Sequence, residues 1–173
     1  MNFLEKDLET IIYETPNEIL QERGLNISGR KKRQVRIGNY GIADMITLEK
    51  SIPSLMNGDY NFFRPDSTEI IIYELKQNKI SVNAFLQSLR YMKGVDMYLK
   101  SRNFNDYTIK LVLIGKEIEL QSSIIYLTDY FVDSNANPIL KFYTYIYEIN
   151  GLKFIEHENY SLTNDGFKTP KPF

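Results

Sequence analysis

The amino-acid sequence predicts an α/β domain, and three observations carry the prediction. Apolar residues at helical spacing open the chain, an almost continuous apolar strand runs from Ile70 to Leu75, and a second long helical pattern follows from Ser81 to Lys100. A strand with no polar alternation is one covered on both faces, so helices are expected above and below it.

The 173 residues suit one domain with a sizeable core. Apolar and charged fractions of 43% and 25% are those of an ordinary globular protein, and a net charge of −1 gives no global basic field, so any polyanion must meet a local patch. The absence of cysteine excludes disulfides, cysteine zinc sites and thiol nucleophiles. Neither a signal-peptide pattern nor an apolar run of membrane-spanning length is present, and a cytoplasmic setting without membrane contact is the expectation.

Asn2 to Glu14 reads as a helix burying Leu4, Leu8, Ile11 and Ile12, with Asn2 and Glu5 spaced as a capping box. Glu5 and Glu9 share one side of it, a pattern that a solvated acidic stripe also produces. Pro16 interrupts the helix, and Glu18 to Arg23 adds a turn before Gly24. A dense basic run follows, with Arg30, Lys31, Lys32, Arg33 and Arg36. It reads as a solvated loop or strand edge, or as a set of phosphate contacts. Gln34 to Ile37 and Ile42 to Leu48 form a hairpin through Gly38-Asn39-Tyr40-Gly41. Residues 51 to 68 carry the glycine and proline of a surface connection, tacked down by Phe62 and Phe63.

The helix from Ser81, its N-cap, is expected to bury Val82, Phe85, Leu86, Leu89 and Met92. Gln87, Arg90, Tyr91, Gly94 and Tyr98 form a second stripe whose first turns follow the preceding strand directly. Ile109 to Ile114 is another strand, and 119 to 131 reads equally as helix or strand. Leu140 to Ile149 and Lys153 to His157 form a hairpin through Asn150-Gly151. Its tyrosines 143, 145 and 147 share one face, which suits packing against a helix better than stacking on bases. His157, between Glu156 and Glu158, reads as exposed and without a catalytic part, and the tail from Thr163 is irregular.

The chemistry gathers where two strands each carry an acid. Glu74 and Lys76 lie two residues apart and so project from one face of the strand. If Asp44 on the neighbouring strand faces them, two carboxylates and an ammonium converge, a seat for hard divalent cations. An edge aspartate with a plain salt bridge at the strand end explains the same residues.

Four segments together resemble the PD-(D/E)XK nuclease superfamily: Glu5-Lys6-Asp7-Leu8-Glu9, Gly41-Ile42-Ala43-Asp44, Tyr73-Glu74-Leu75-Lys76 and Gln87-Ser88-Leu89-Arg90-Tyr91. Glu74 and Lys76 form the only acid-x-Lys triplet in the chain, and Ala43 stands where the family often has proline. The resemblance covers roughly residues 3 to 115. It implies a restriction-endonuclease-like αβββαβ core with a central mixed sheet flanked by helices, here followed by a C-terminal extension (116 to 173) that includes the added β-hairpin.

The resemblance also implies a role for each site residue. Asp44, Glu74 and the Leu75 carbonyl would hold Mg²⁺ or Mn²⁺. Lys76 would orient the attacking water or stabilise charge on the phosphate, and Glu5 or Glu9 would touch the metal shell through water. Gln87 would position the strand end or a metal-bound water, while Arg90 and Tyr91 would meet nucleic acid. The implied activity is metal-dependent hydrolysis of DNA phosphodiesters, with RNA and branched DNA as open alternatives and a homodimer or larger complex as partner. Two other readings stand beside it: a catalytically silent nuclease-fold module for nucleic-acid binding or assembly, and a structural salt-bridge cluster in an unrelated domain.

Overall fold

A computed structural model describes residues 3–50, 68–119, 124–134 and 136–157. The chain is α/β, with a six-stranded mixed sheet between two helical layers. In order it forms α1 (Glu5–Glu14), α2 (Asn17–Glu22), β1 (Arg30–Arg36), β2 (Ile42–Lys50), β3 (Thr68–Leu75), β4 (Lys79–Ile80), α3 (Val82–Ser101), β5 (Tyr107–Gly115), β6 (Glu117–Ile118), β7 (Leu140–Glu148) and β8 (Gly151–His157). The sheet order is β1-β2-β3-β5-β7-β8, with β3, β5 and β7 parallel and the pairs at either end antiparallel. β4 and β6, which the sequence pattern does not disclose, pair as a small separate ribbon.

The continuous apolar run of β3 serves two cores. Ile71, Tyr73 and Leu75 pack with Leu8 and Ile12 of α1, while Ile70 and Ile72 pack with Ala84, Phe85 and Tyr91 of α3. Strand alternation makes this division, so both faces of one strand are apolar. Among the described residues no helix is long and apolar enough to cross a membrane.

Several boundaries differ from the sequence expectation. α1 begins at Glu5, and the Asp7 carboxylate, 2.8 Å from the Leu4 N–H, supplies the cap. The capping role given to Asn2 lies outside the described residues, as do Phe62, Phe63, Glu158 and the tail. Of the two settings expected for the basic run, loop or strand edge, the structure shows the second: Arg30 to Arg36 form β1, the edge strand paired with β2. Ambiguous residues 119 to 131 include a 3-10 turn over Ile124–Asp129. The β7–β8 loop is Ile149-Asn150, one residue earlier than expected, because Glu148 pairs with Gly151, which opens β8 at φ +120°.

α3 presents a different face from the one hydrophobicity suggests. Val82 and Leu86 are exposed, while Ala84, Phe85, Ser88, Tyr91 and Gly94 are buried. Small residues let the helix approach closely: a Cβ on Gly94 would lie 2.6 Å from Ile37 and 2.7 Å from the Tyr40 ring. Ser81 caps α3 as expected, accepting from the Ala84 N–H at 3.3 Å.

Between α2 and β1 the connector crosses the sheet on the α1 side. The Arg23 carbonyl accepts from the Phe154 N–H of β8 at 2.7 Å, Leu25 and Ile27 are fully buried beneath α1, and Gly29 reaches Leu48 of β2. His157 is half-buried rather than exposed, with Nε2 2.7 Å from the Thr144 hydroxyl; its neighbour Glu156 is bound to Lys141 and Tyr143.

Candidate active site

The β2–β3 ladder ends at the pair Met45–Tyr73. Past that pair the strands fork, and the fork collects the acidic residues. Ala43 and Met45, two positions apart in β2, pack into opposite cores, so the strand turns over at Asp44. The partner strand turns with it. Gln34, flanked by the pairs Arg33–Met45 and Val35–Ala43, stands opposite Asp44 with φ +52°. A non-glycine residue in that region marks a backbone constrained by its surroundings.

The turn-over aims the Asp44 carboxylate at the neighbouring strand, where Oδ2 accepts from the Leu75 N–H at 2.8 Å. Glu74 is 1% exposed, and Lys76 Nζ lies 2.7 Å from its Oε1 and 3.7 Å from Glu5 Oε1. Lys76 is the cation paired with Glu74, and neither carboxylate oxygen has a well-aligned hydrogen-bond donor among the described residues. A buried carboxylate oxygen without a donor is costly, and a cation is the usual remedy.

Electrostatics follow from burial. Asp44 is pushed up to about 6, chiefly by loss of solvent, against the opposing Leu75 N–H and Lys76 charge. Glu74 is pushed up to about 7 by burial and then by the charge on Asp44. Burial alone would lower the Lys76 ammonium, but the hydrogen bond and charge of Glu74, aided by Glu5 and Asp44, outweigh it and raise it. The two carboxylates thus share too little positive charge between them.

The other expected residues fall in three groups. Glu5 joins the site through Lys76, while Glu9 is buried and accepts from the Gln34 amide. Glu5, Glu9, Asp44, Gln34, Lys6 and Arg33 line one cleft of about 670 Å³. Gln87 reaches the site through Tyr91, donating to its hydroxyl at 2.6 Å. Tyr91 is buried under Gly41 and not displayed for stacking; burial raises its hydroxyl first, and the charges of Glu74 and Asp44 raise it further. The Arg90 guanidinium is held by the Tyr40 carbonyl at 2.9 Å.

The basic strand is divided by its own alternation. The Lys31 ammonium closes the C-terminal end of α1 through the Ile12 and Thr15 carbonyls, which occupies it structurally. Arg30, Lys32, Arg33 and Arg36 are all exposed, and Arg33 lies 4.8 Å over the Tyr13 ring and borders the cleft. Gln34 is the site residue that sequence reasoning missed. A glutamine inside a basic strand carries no signal, since its left-handed backbone exists only in the folded sheet.

Among the described residues no three Asp, Glu, His or Cys side chains form a ready metal cage. Asp44 and Glu74 nonetheless fit a hard cation on chemical grounds: both are oxygen donors, and the buried Glu74 carboxylate has no aligned hydrogen-bond donor among the described residues. No family model matches the chain, and no curated protein or solved structure matches it.

Proposed function

We propose that this chain is a divalent-metal-dependent nuclease that hydrolyses DNA phosphodiesters. We further propose that α1, β1, β2, β3, α3 and β5 form a restriction-endonuclease-like αβββαβ core. One observation carries the reading: at the β2–β3 fork the buried Glu74 and half-buried Asp44 carboxylates lie beside the Lys76 ammonium, and neither Glu74 oxygen has an aligned hydrogen-bond donor among the described residues. An unrelated domain gains nothing from such an arrangement, because burying a charge without compensation costs several kcal/mol by order of magnitude.

Asp44 and Glu74, with the Leu75 carbonyl, would hold Mg²⁺ or Mn²⁺. That ion, when bound, supplies Lewis-acid polarisation of the phosphate and a more acidic water. Lys76 stays a cation between Glu74 and Glu5 and directs N–H donors toward the water or the phosphate oxygen. Glu5 holds Lys76 at the mouth of the site, and Gln87 with Tyr91 walls its α3 side. Arg33, with exposed Arg30, Lys32 and Arg36, offers charge to the backbone of the polyanion.

The test is cleavage of labelled duplex, single strand, flap, junction and RNA with Mg²⁺, Mn²⁺ or EDTA. Wild type should cut only with metal, and Glu74→Gln and Lys76→Ala should lose cleavage while keeping their circular dichroism. Cutting by both variants at the wild-type rate would remove the assignment. The ion pair that Lys76 already makes with Glu74 favours one second reading, a silent nucleic-acid-binding or assembly module. Such a module would show no Mn²⁺ stabilisation dependent on Asp44 and Glu74, whereas the nuclease reading expects a raised Tm in wild type alone.

A further inference from the structure

On the far side of α1 from Asp44 lies a second cleft, of about 780 Å³, lined by Phe3, Asp7, Thr10 and Ile11 of the α1 region, Gln77, Asn78 and Lys116 from loops at the ends of β3 and β5, and Tyr147 of β7. Tyr143 and Tyr145 of the tyrosine face are buried, but Tyr147 remains 53% exposed. Its ring is braced by two edge-on contacts, with Phe3 at 5.2 Å and Tyr145 at 5.8 Å between centroids. A large ring fixed in place yet left half in solvent has lost its freedom without gaining full burial.

The cleft is tied to the fork. Gln77 immediately follows Lys76, its amide donates to the Phe3 carbonyl, and its own carbonyl accepts from the Tyr145 hydroxyl. Lys116 has no ion pair or hydrogen bond from its ammonium among the described residues. Asp7 is the acid of the cleft, and its carboxylate is partly engaged by the Leu4 N–H at 2.8 Å. An aromatic face, a free cation and hydrogen-bonding groups along one wall match the three parts of an unpaired nucleotide: base plane, phosphate and base edge. A duplex offers no free base plane here.

We propose that this cleft binds an unpaired nucleotide of the substrate strand, the base stacked on Tyr147 and a phosphate held by Lys116. This names single-stranded or flapped DNA as the substrate class and rests on the nuclease reading above. Asp7 and Asn78 then meet the base edge, and the strand passes the α1 N-terminus toward Lys76.

The test is fluorescence anisotropy of a labelled oligo(dT) strand and of the matching blunt duplex, in EDTA so that nothing is cut. Wild type should bind the single strand more tightly than the duplex. Tyr147→Ala and Lys116→Gln should each weaken single-strand binding about tenfold while leaving duplex binding and the circular dichroism spectrum unchanged, and Tyr147→Phe should bind like wild type. Equal affinity for both probes, no binding of either, or unchanged single-strand binding by Tyr147→Ala overturns the proposal. Those outcomes leave the nuclease reading standing if metal-dependent cleavage is lost in Glu74→Gln; absence of that cleavage removes the nuclease reading itself.

Discussion

Asp44 and Glu74 hold their protons more tightly in the folded chain than in the unfolded one, so each makes folding depend on pH. Asp44 moves from the usual 3.8 to about 6 and Glu74 from 4.5 to about 7. Between those limits the native state binds more protons, and the metal-free protein should lose stability as pH rises from about 4 to 7. Asp44→Asn, which keeps an acceptor for the Leu75 N–H, removes one of the two titrations. In EDTA at pH 8 it should be more stable than wild type by on the order of 2 kcal/mol, and indistinguishable from it near pH 4. Urea midpoints at both pH values decide this. A wild type that gains more stability than the variant between pH 4 and 8 would show that these carboxylates are well compensated without a cation.

At the scale of elements, the turn between β1 and β2 is where the chain depends on a glycine. Gly41 sits at φ +120° and ψ −157°, a region closed to other residues, and a Cβ there would lie 2.8 Å from the Tyr91 ring. Gly41→Ala should therefore cost about 1–3 kcal/mol and disturb the Tyr91–Gln87 pair, while Gly38→Ala, with open space around it, should cost less. Thermal melts of the two variants compare them directly; equal losses would mean that Tyr91 does not lean on this turn.

Elements also mark how far the sequence could be read. β3 was legible because its apolar run is continuous, and α3 because Ser81 announces its start. The buried face of α3 was not, since close packing selected Ala84, Ser88 and Gly94 over the bulkier Val82 and Leu86. Of the site, the residues Asp44, Glu74 and Lys76 were visible as an acid on each of two strands. The turn-over at Asp44 was hidden, because it requires Gln34 on another strand to take a left-handed backbone.

Over the whole molecule, the connector before β1 binds α1 and α2 to β8. Gly24, at φ +90°, passes so close to β8 that a Cβ would stand 2.2 Å from the Phe154 carbonyl oxygen. Gly24→Ala must push backbone against backbone and should destabilise by about 1–3 kcal/mol, with the largest loss of amide-exchange protection in β8. Protection lost evenly across the sheet would argue against this local origin.

That same crossing gives the chain a temporal order. On the ribosome α1, α2 and β1 emerge before β7 and β8, so the Arg23 carbonyl has no Phe154 N–H to accept from, and the core around Leu25 lacks Tyr143, Tyr145, Leu152 and Phe154, until β7 and β8 have been made. The early half of the polypeptide must wait, and nascent chains halted before Leu140 should stay open to protease. The acidic fork, whose α1 wall packs in one core with β7 and β8, is completed only after those strands have been made.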